Sequence, residues 1–137
     1  MVRGMDLRIL LPAHKDAVIG FAKKQLSERV HDPMEREMQS WSARWRPEAL
    51  DHYLPQGWSF GAFKDDQLCG FILGQPFLFF RGLMQTLWLE CVVADSDETR
   101  ALLIDCAQKW AKDKHFQCAL LEDGDKLKEI KTARYTT

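Results

Sequence analysis

Four cysteines, four histidines and two runs of carboxylates are the residues with which this sequence could do chemistry, and their spacing narrows the options. Cys69, Cys91, Cys106 and Cys118 form no C-x-x-C pair and lie 22, 15 and 12 residues apart, so no metal site is expected. Each lies in an apolar stretch, where a free thiol behaves as a small hydrophobe. His14, His31, His52 and His115 lack the Ser or Cys partners of a nucleophilic site and are expected at the surface or in loops. Asp95, Asp97 and Glu98 form one acidic cluster, and Glu122, Asp123 and Asp125 another. At separations of about 5 to 8 Å and an effective dielectric near 20, each like-charge pair costs roughly 2–3 kcal/mol before salt screening, so both clusters repel anions. Met34, Met38, Trp41 and Trp45 recur at helical steps, which predicts a core or dimer stripe.

Composition bounds the rest. The chain has 137 residues, which predicts one domain over 1–137, with residues 1–5 as a flexible extension and 123–137 as a poorly defined tail or short helix. A chain of this size buries roughly two thirds of its unfolded surface and needs no staples. Nineteen Lys and Arg against twenty Asp and Glu give a net charge of -1, so neither nucleic acid nor an anionic membrane is an expected partner. Lys126, Lys128, Lys131 and Arg134 make the tail basic, as on a solvated face. No apolar run is long enough to span a bilayer, the first residues lack signal-peptide character, and the expected compartment is the cytoplasm.

The elements that must position these residues follow from periodicity. Residues 7–11 form an apolar run closed by Pro12, a strand entering a turn. Val18, Ile19, Phe21, Ala22 and Leu26 recur at helical spacing, with Lys15, Lys23 and Lys24 outside, which predicts a helix over about 13–26. Asp32-Pro33-Met34-Glu35 combines a capping carboxylate with proline at the first helical position. The helix it starts should run to Pro47, where a third begins, carrying Leu50, Tyr53 and Leu54 as far as Pro55 and Gly57.

The period then becomes extended. Residues 58–63 and 68–73 flank a turn at 64–67, and 77–80 continue past Pro76, whose missing N–H requires an edge or a bulge. The three aromatics there predict contact with a second subunit, a homodimer. After a turn at Arg81-Gly82, residues 83–93 form another strand, with Leu87, Leu89, Cys91 and Val93 predicted on one face and Trp88, Glu90 and Val92 on the other. Asp95, with Glu98 three residues on, is the predicted cap of a helix over about 96–114 bearing Leu103, Ala107, Trp110 and Ala111. A short strand at 116–121 and a charged helix at 125–134 complete an α+β domain.

This order resembles the GNAT superfamily of acyl-CoA-dependent N-acetyltransferases over residues 6 to about 122. The resemblance rests on Lys64-Asp65-Asp66-Gln67-Leu68-Cys69-Gly70-Phe71-Ile72-Leu73-Gly74, the long strand, the helix closing in Trp110-Ala111-Lys112-Asp113-Lys114, and the short strand after it. It implies a mixed, mostly antiparallel sheet with helices on both faces and the last strands missing. It implies an N-acyltransferase that moves acetyl from acetyl-CoA to the amine of a small molecule or peptide. The pantetheine chain would lie in a splay between 89–93 and 118–121, with Cys91, Val92, Val93, Ser96, Thr99 and Arg100 as cofactor-binding residues. The amine would enter past Met38, Trp41 and Trp45. Glu90 would correspond to a base carboxylate and Tyr135 to the acid that protonates the departing thiolate; a plain outward strand residue and a frayed terminal tyrosine are the competing readings.

The loop at 94–100 departs from that pattern. The family brings glycine N–H groups close to the pyrophosphate, whereas Ala94-Asp95-Ser96-Asp97-Glu98-Thr99-Arg100 contains no glycine and has Arg100 as the basic residue nearby. The alternative function is therefore a non-catalytic GNAT-fold binding or dimerisation module, and a third is an acidic-rimmed pocket for a cationic amine without CoA.

Overall fold

In the computed structural model the described residues are 4–78, 85–114, 116, 118–123 and 126–131. The chain runs β1 (Met5–Ile9), α1 (Lys15–Arg29), α2 (Pro33–Ser42), α3 (Pro47–Tyr53), β2 (Phe60–Lys64), β3 (Gln67–Leu78), β4 (Gln85–Ala94), α4 (Asp97–Asp113), β5 (Cys118–Asp123) and β6 (Lys126–Lys131). The strands form one sheet in the order β1-β2-β3-β4-β5-β6. All neighbours are antiparallel except β4 and β5, because α4 carries the chain back across the sheet before β5 begins. No helix among the described residues is long and apolar enough to cross a membrane.

Local chemistry accounts for most of these elements. The β2–β3 turn places Asp65 and Asp66 at φ 51° and 62°, a left-handed pair that Asp tolerates and that matches strand twist. The α2 start is capped by Asp32, whose Oδ1 accepts from the Met34 N–H at 3.2 Å. Pro76 sits where β3 has outrun β2, whose last partner on that side is Ile72, so its missing N–H leaves no ladder bond unmade.

Apolar side chains fill both faces of the sheet. Val18, Ala22 and Leu26 of α1 and Leu50 and Tyr53 of α3 pack on Phe63, Phe71 and Leu73 on one side. Leu103, Ala107 and Ala111 of α4 pack on Phe60, Ala62, Ile72, Leu87 and Leu89 on the other.

Five sequence expectations are corrected. α2 ends at Ser42 rather than Pro47, because Ala43 turns extended, and the stripe is thereby divided. Met34, Met38 and Trp41 are exposed at 72, 56 and 67 %, while Trp45 is buried beyond the break, so they form no continuous core stripe. The cap of α4 is Ser96, whose Oγ accepts from the Thr99 N–H at 3.2 Å; Asp95 is held in the sheet instead, donating its N–H to the Cys69 carbonyl. Residues 126–131 are a strand, since pairing with the open edge of β5 outweighs the weak helical preference of so short a segment. Met5 opens β1 and is therefore part of the sheet rather than of a flexible extension. The expected aromatic contact at Phe79 and Phe80 and the turn at Arg81-Gly82 lie outside the described residues.

Candidate functional site

The face assignment along β4 is also corrected, and the reason builds the site. Leu73 pairs with Cys91 but Gly74 pairs with Leu89, which leaves Glu90 as an extra residue in β4, a β-bulge. Leu87, Leu89 and Val92 therefore pack toward α4, whereas Cys91 and Val93 pack with the α1–α3 cluster. Glu90 is aimed to that same side. There it is 5 % exposed.

Two donors hold one oxygen of this carboxylate. The Tyr53 hydroxyl, from the end of α3, donates to Oε2, and Gln75 Nε2 of β3 donates to the same oxygen at 2.9 Å. Oε1 faces Arg44 Nη1 at 3.9 Å. Gln75, with its N–H turned to the carboxylate, presents Oε1 to His52 Nε2 at 2.8 Å, and Gln56 Nε2 lies 3.0 Å from the same ring nitrogen. Gln56 Nε2 donates to the His52 carbonyl at 2.9 Å and steadies the far end of this chain. Burial, followed by the hydrogen bond to Glu90 and its charge, pushes the Tyr53 phenol well above its ordinary value. Tyr53 is thus a protonated donor throughout the neutral range. Arg44, Arg46, Ala49, His52, Tyr53, Gln75 and Glu90 line a cavity of 290 Å³.

Beyond the bulge β4 parts from β5. Their parallel pairing ends at Leu89↔Leu121, although the strands continue to Ala94 and Asp123. The splay thus begins where the expected span 118–121 ends, because 118–121 is the paired part of β5. Residues 90–94 keep β3 on one side and present their other backbone edge to the opening. At its outer end lies a cavity of 550 Å³ between the C-terminal half of α1 and the start of α4, lined by Val92, Val93, Ser96 and Arg100 with Glu28, Arg29, Asp95 and Asp97. Arg29 comes from the end of α1, so Arg100 is not the sole basic group there. Among the loop N–H groups, those of Asp95, Thr99 and Arg100 are spent on Cys69, Ser96 Oγ and the Ser96 carbonyl.

An acyl-CoA has two requirements that this region can be tested against. A free strand edge suits the amides of a pantetheine arm, and two arginines beside a helix N-terminus suit phosphate. The open strand edge fits the arm, while the rim sets Arg29 and Arg100 against Glu28, Asp95 and Asp97, an excess of one negative charge that opposes the phosphates.

The remaining expected residues separate. Thr99 is buried and packs its methyl against Gly70, where a Cβ would lie 2.9 Å from Thr99 Cγ2; its hydroxyl accepts from Ser96 Oγ. Cys91 is half-buried in the α1–α3 cluster. Trp41 and Trp45 line a third cavity, 870 Å³ between α1, α2 and α3, which Met38 does not line. Tyr135 lies outside the described residues. Among the described residues no group of three His, Cys, Asp or Glu could hold a metal ion. Tyr53, Gln75 and His52 carried two sequence signals: a tyrosine on a buried helix face needs a partner for its hydroxyl, and a glutamine interrupts an apolar strand.

No protein-family model matches the sequence, and no curated protein matches it. Solved structures do. The PaiA N-acetyltransferase of Thermoplasma acidophilum, in complex with coenzyme A, superposes with a TM-score of 0.68 at 17 % identity, over 89 % of this chain and 80 % of that one. A Drosophila melanogaster polyamine N-acetyltransferase gives 0.66 at 11 % identity over 87 and 76 %. The ribosomal-protein-alanine N-acetyltransferase of Brucella melitensis gives 0.62 at 14 % over 88 and 81 %. Together with the parallel β4–β5 pair that parts after Leu89, these likenesses show that the chain has the GNAT N-acetyltransferase fold.

Proposed function

We propose that the chain is an N-acyltransferase that uses an acyl-CoA to acylate an amine held over Glu90. The observation that carries this reading is Glu90 itself, a buried carboxylate set by a bulge at the point where β4 leaves β5 and open to a cavity on the α3 side of the sheet. An acyl-CoA bound along residues 90–94 supplies an acyl group activated as a thioester. Val92 and Val93 would flank its arm, and Arg29 and Arg100 would hold its phosphates.

Glu90 accepts the proton that an incoming ammonium must lose before its nitrogen can attack. Tyr53 and Gln75 fasten Oε2, so Oε1 is the oxygen aimed at the acceptor. Arg44 tethers that oxygen only at the outer limit of an ion pair, which leaves room for an amine beside it. Tyr53 and Gln75 are positioning residues. The named neighbours include a polyamine N-acetyltransferase and a protein-alanine N-acetyltransferase, which supports an amine as the acceptor class.

Acetyl-CoA titrated into the protein and followed by thermal shift tests the donor. Ligand at 100-fold its dissociation constant adds about 2.7 kcal/mol to stability. Amine-dependent release of CoA thiol from a mixed amine panel tests the reaction. Absence of any stabilisation at millimolar acetyl-CoA would remove this function.

A further inference from the structure

The cavity of 870 Å³ has a chemistry of its own. Trp41 and Trp45 stand in its wall with Lys23, Arg36, Arg46, Glu37 and Glu48. Arg46 and Glu48 are already engaged with each other: Arg46 Nε pairs with Glu48 Oε1 at 3.1 Å, and Arg46 Nη1 donates to the Ala43 carbonyl at 2.9 Å. The charges left on the wall are Lys23 and Arg36 against Glu37, an excess of one positive charge. Arg36 Nε is out of water and has no hydrogen-bond partner. Nε therefore does not face the cavity, and an acid bound there would meet Arg36 through its outer guanidinium nitrogens, in a charge-assisted contact. The two indoles offer flat apolar surface to the body of the same molecule.

This cavity adjoins the one above Glu90, since Arg46 and Glu48 line both. We infer that the acceptor is an amine that also carries a carboxylate on an apolar or aromatic body, with its acid held by Arg36 and Lys23 and its body against Trp41 and Trp45. The amine then lies past the Arg46–Glu48 pair, over Glu90. This rests on the acyltransferase reading and narrows its substrate class. A polyamine is the opposite case, since its distal ammonium groups would meet Lys23 and Arg36.

The test is calorimetry on the full chain without any acyl donor. The probes are 4-(aminomethyl)benzoate and phenylalanine, each against its neutral carboxamide, with spermidine as the polycation. At low salt at least one acid is expected to bind about tenfold tighter than its carboxamide, as a charge-assisted contact to arginine provides. Arg36→Met is expected to reduce that preference to under about threefold, while Arg36→Lys retains part of it. Equal affinity of acids and carboxamides, no binding of either acid at 10 mM, or tighter binding of spermidine than of both acids overturns the inference. Should Arg36→Met fail to fold, loss of the preference in about 0.5 M salt supports the inference and its persistence overturns it. A clear acid preference without acetyl-CoA binding or turnover keeps this pocket assignment and removes the catalytic reading.

Discussion

The two halves of β4 do different work, and one inserted residue separates them. Residues 86–89 are bonded to β3 on one side and β5 on the other, and Leu87 and Leu89 are fully buried against α4. Residues 90–94 keep β3 only, and the first of them is a buried carboxylate rather than a hydrophobe. The paired half supplies stability because both backbone edges are satisfied and its large side chains are dry. The parted half supplies an open edge and a shaped charge. A sheet that kept regular register through Glu90 would turn that carboxylate away from the Cys91 face.

Substitutions can break or sharpen this contrast. The largest effect is expected on the paired side: Leu103→Ala, in the α4 layer beneath Leu87 and Leu89, empties a fully buried position and should cost about 2–5 kcal/mol in chemical denaturation. The folded fraction should bind acetyl-CoA as before. Glu90→Gln is the converse. It should lower kcat by about a hundredfold or more, with a much smaller loss of stability. If this variant unfolds as readily as Leu103→Ala while retaining its rate, Glu90 belongs to the structural half and the contrast fails.

Tyr53→Phe should be intermediate, at about 1–2 kcal/mol, because it removes one of the two donors to Oε2. It also carries a pH signature. The Tyr53 phenol ionises well above the ordinary value of 10.0 in the folded chain, so its contribution is complete below pH 10.0 and is lost as the pH rises past it. Wild-type stability should therefore fall more steeply than that of Tyr53→Phe above pH 10.0, with parallel curves below. Identical alkaline limbs would place the hydroxyl in water. The smallest effect is at the rim: Asp97→Asn should tighten acyl-CoA about two- to fivefold at low salt, and the gain should vanish near 1 M salt. An unchanged affinity at low salt would place the phosphates elsewhere.

Features with local causes could be read from the sequence. The Val18, Ala22 and Leu26 stripe, the Asp32-Pro33 helix start and the Asp65-Asp66 turn are each specified within a few residues. The α+β order was legible for the same reason. What escaped depends on register between distant segments. The bulge at Glu90 exists only relative to β3, so simple alternation put Cys91 on the wrong face. Tyr53 and Glu90 are 37 positions apart, and nothing local joins them. Arg29 enters the cavity beside α4 because the end of α1 lies beside the start of α4, which no spacing rule contains. The exposed Met34, Met38 and Trp41 carry helical periodicity faithfully; periodicity identifies a face, and tertiary packing decides whether that face is covered.

Trp45 follows the break in α2 and forms part of two walls, that of the cavity beside α4 and that of the cavity between α1, α2 and α3. One side chain thus borders two cavities. A molecule that displaces the indole from either side changes the room available on the other, and by linkage the effect on affinity is equal in both directions. Under the functions proposed above, the affinities of donor and acceptor would be coupled through a single side chain, and replacing Trp45 with a smaller residue would uncouple them.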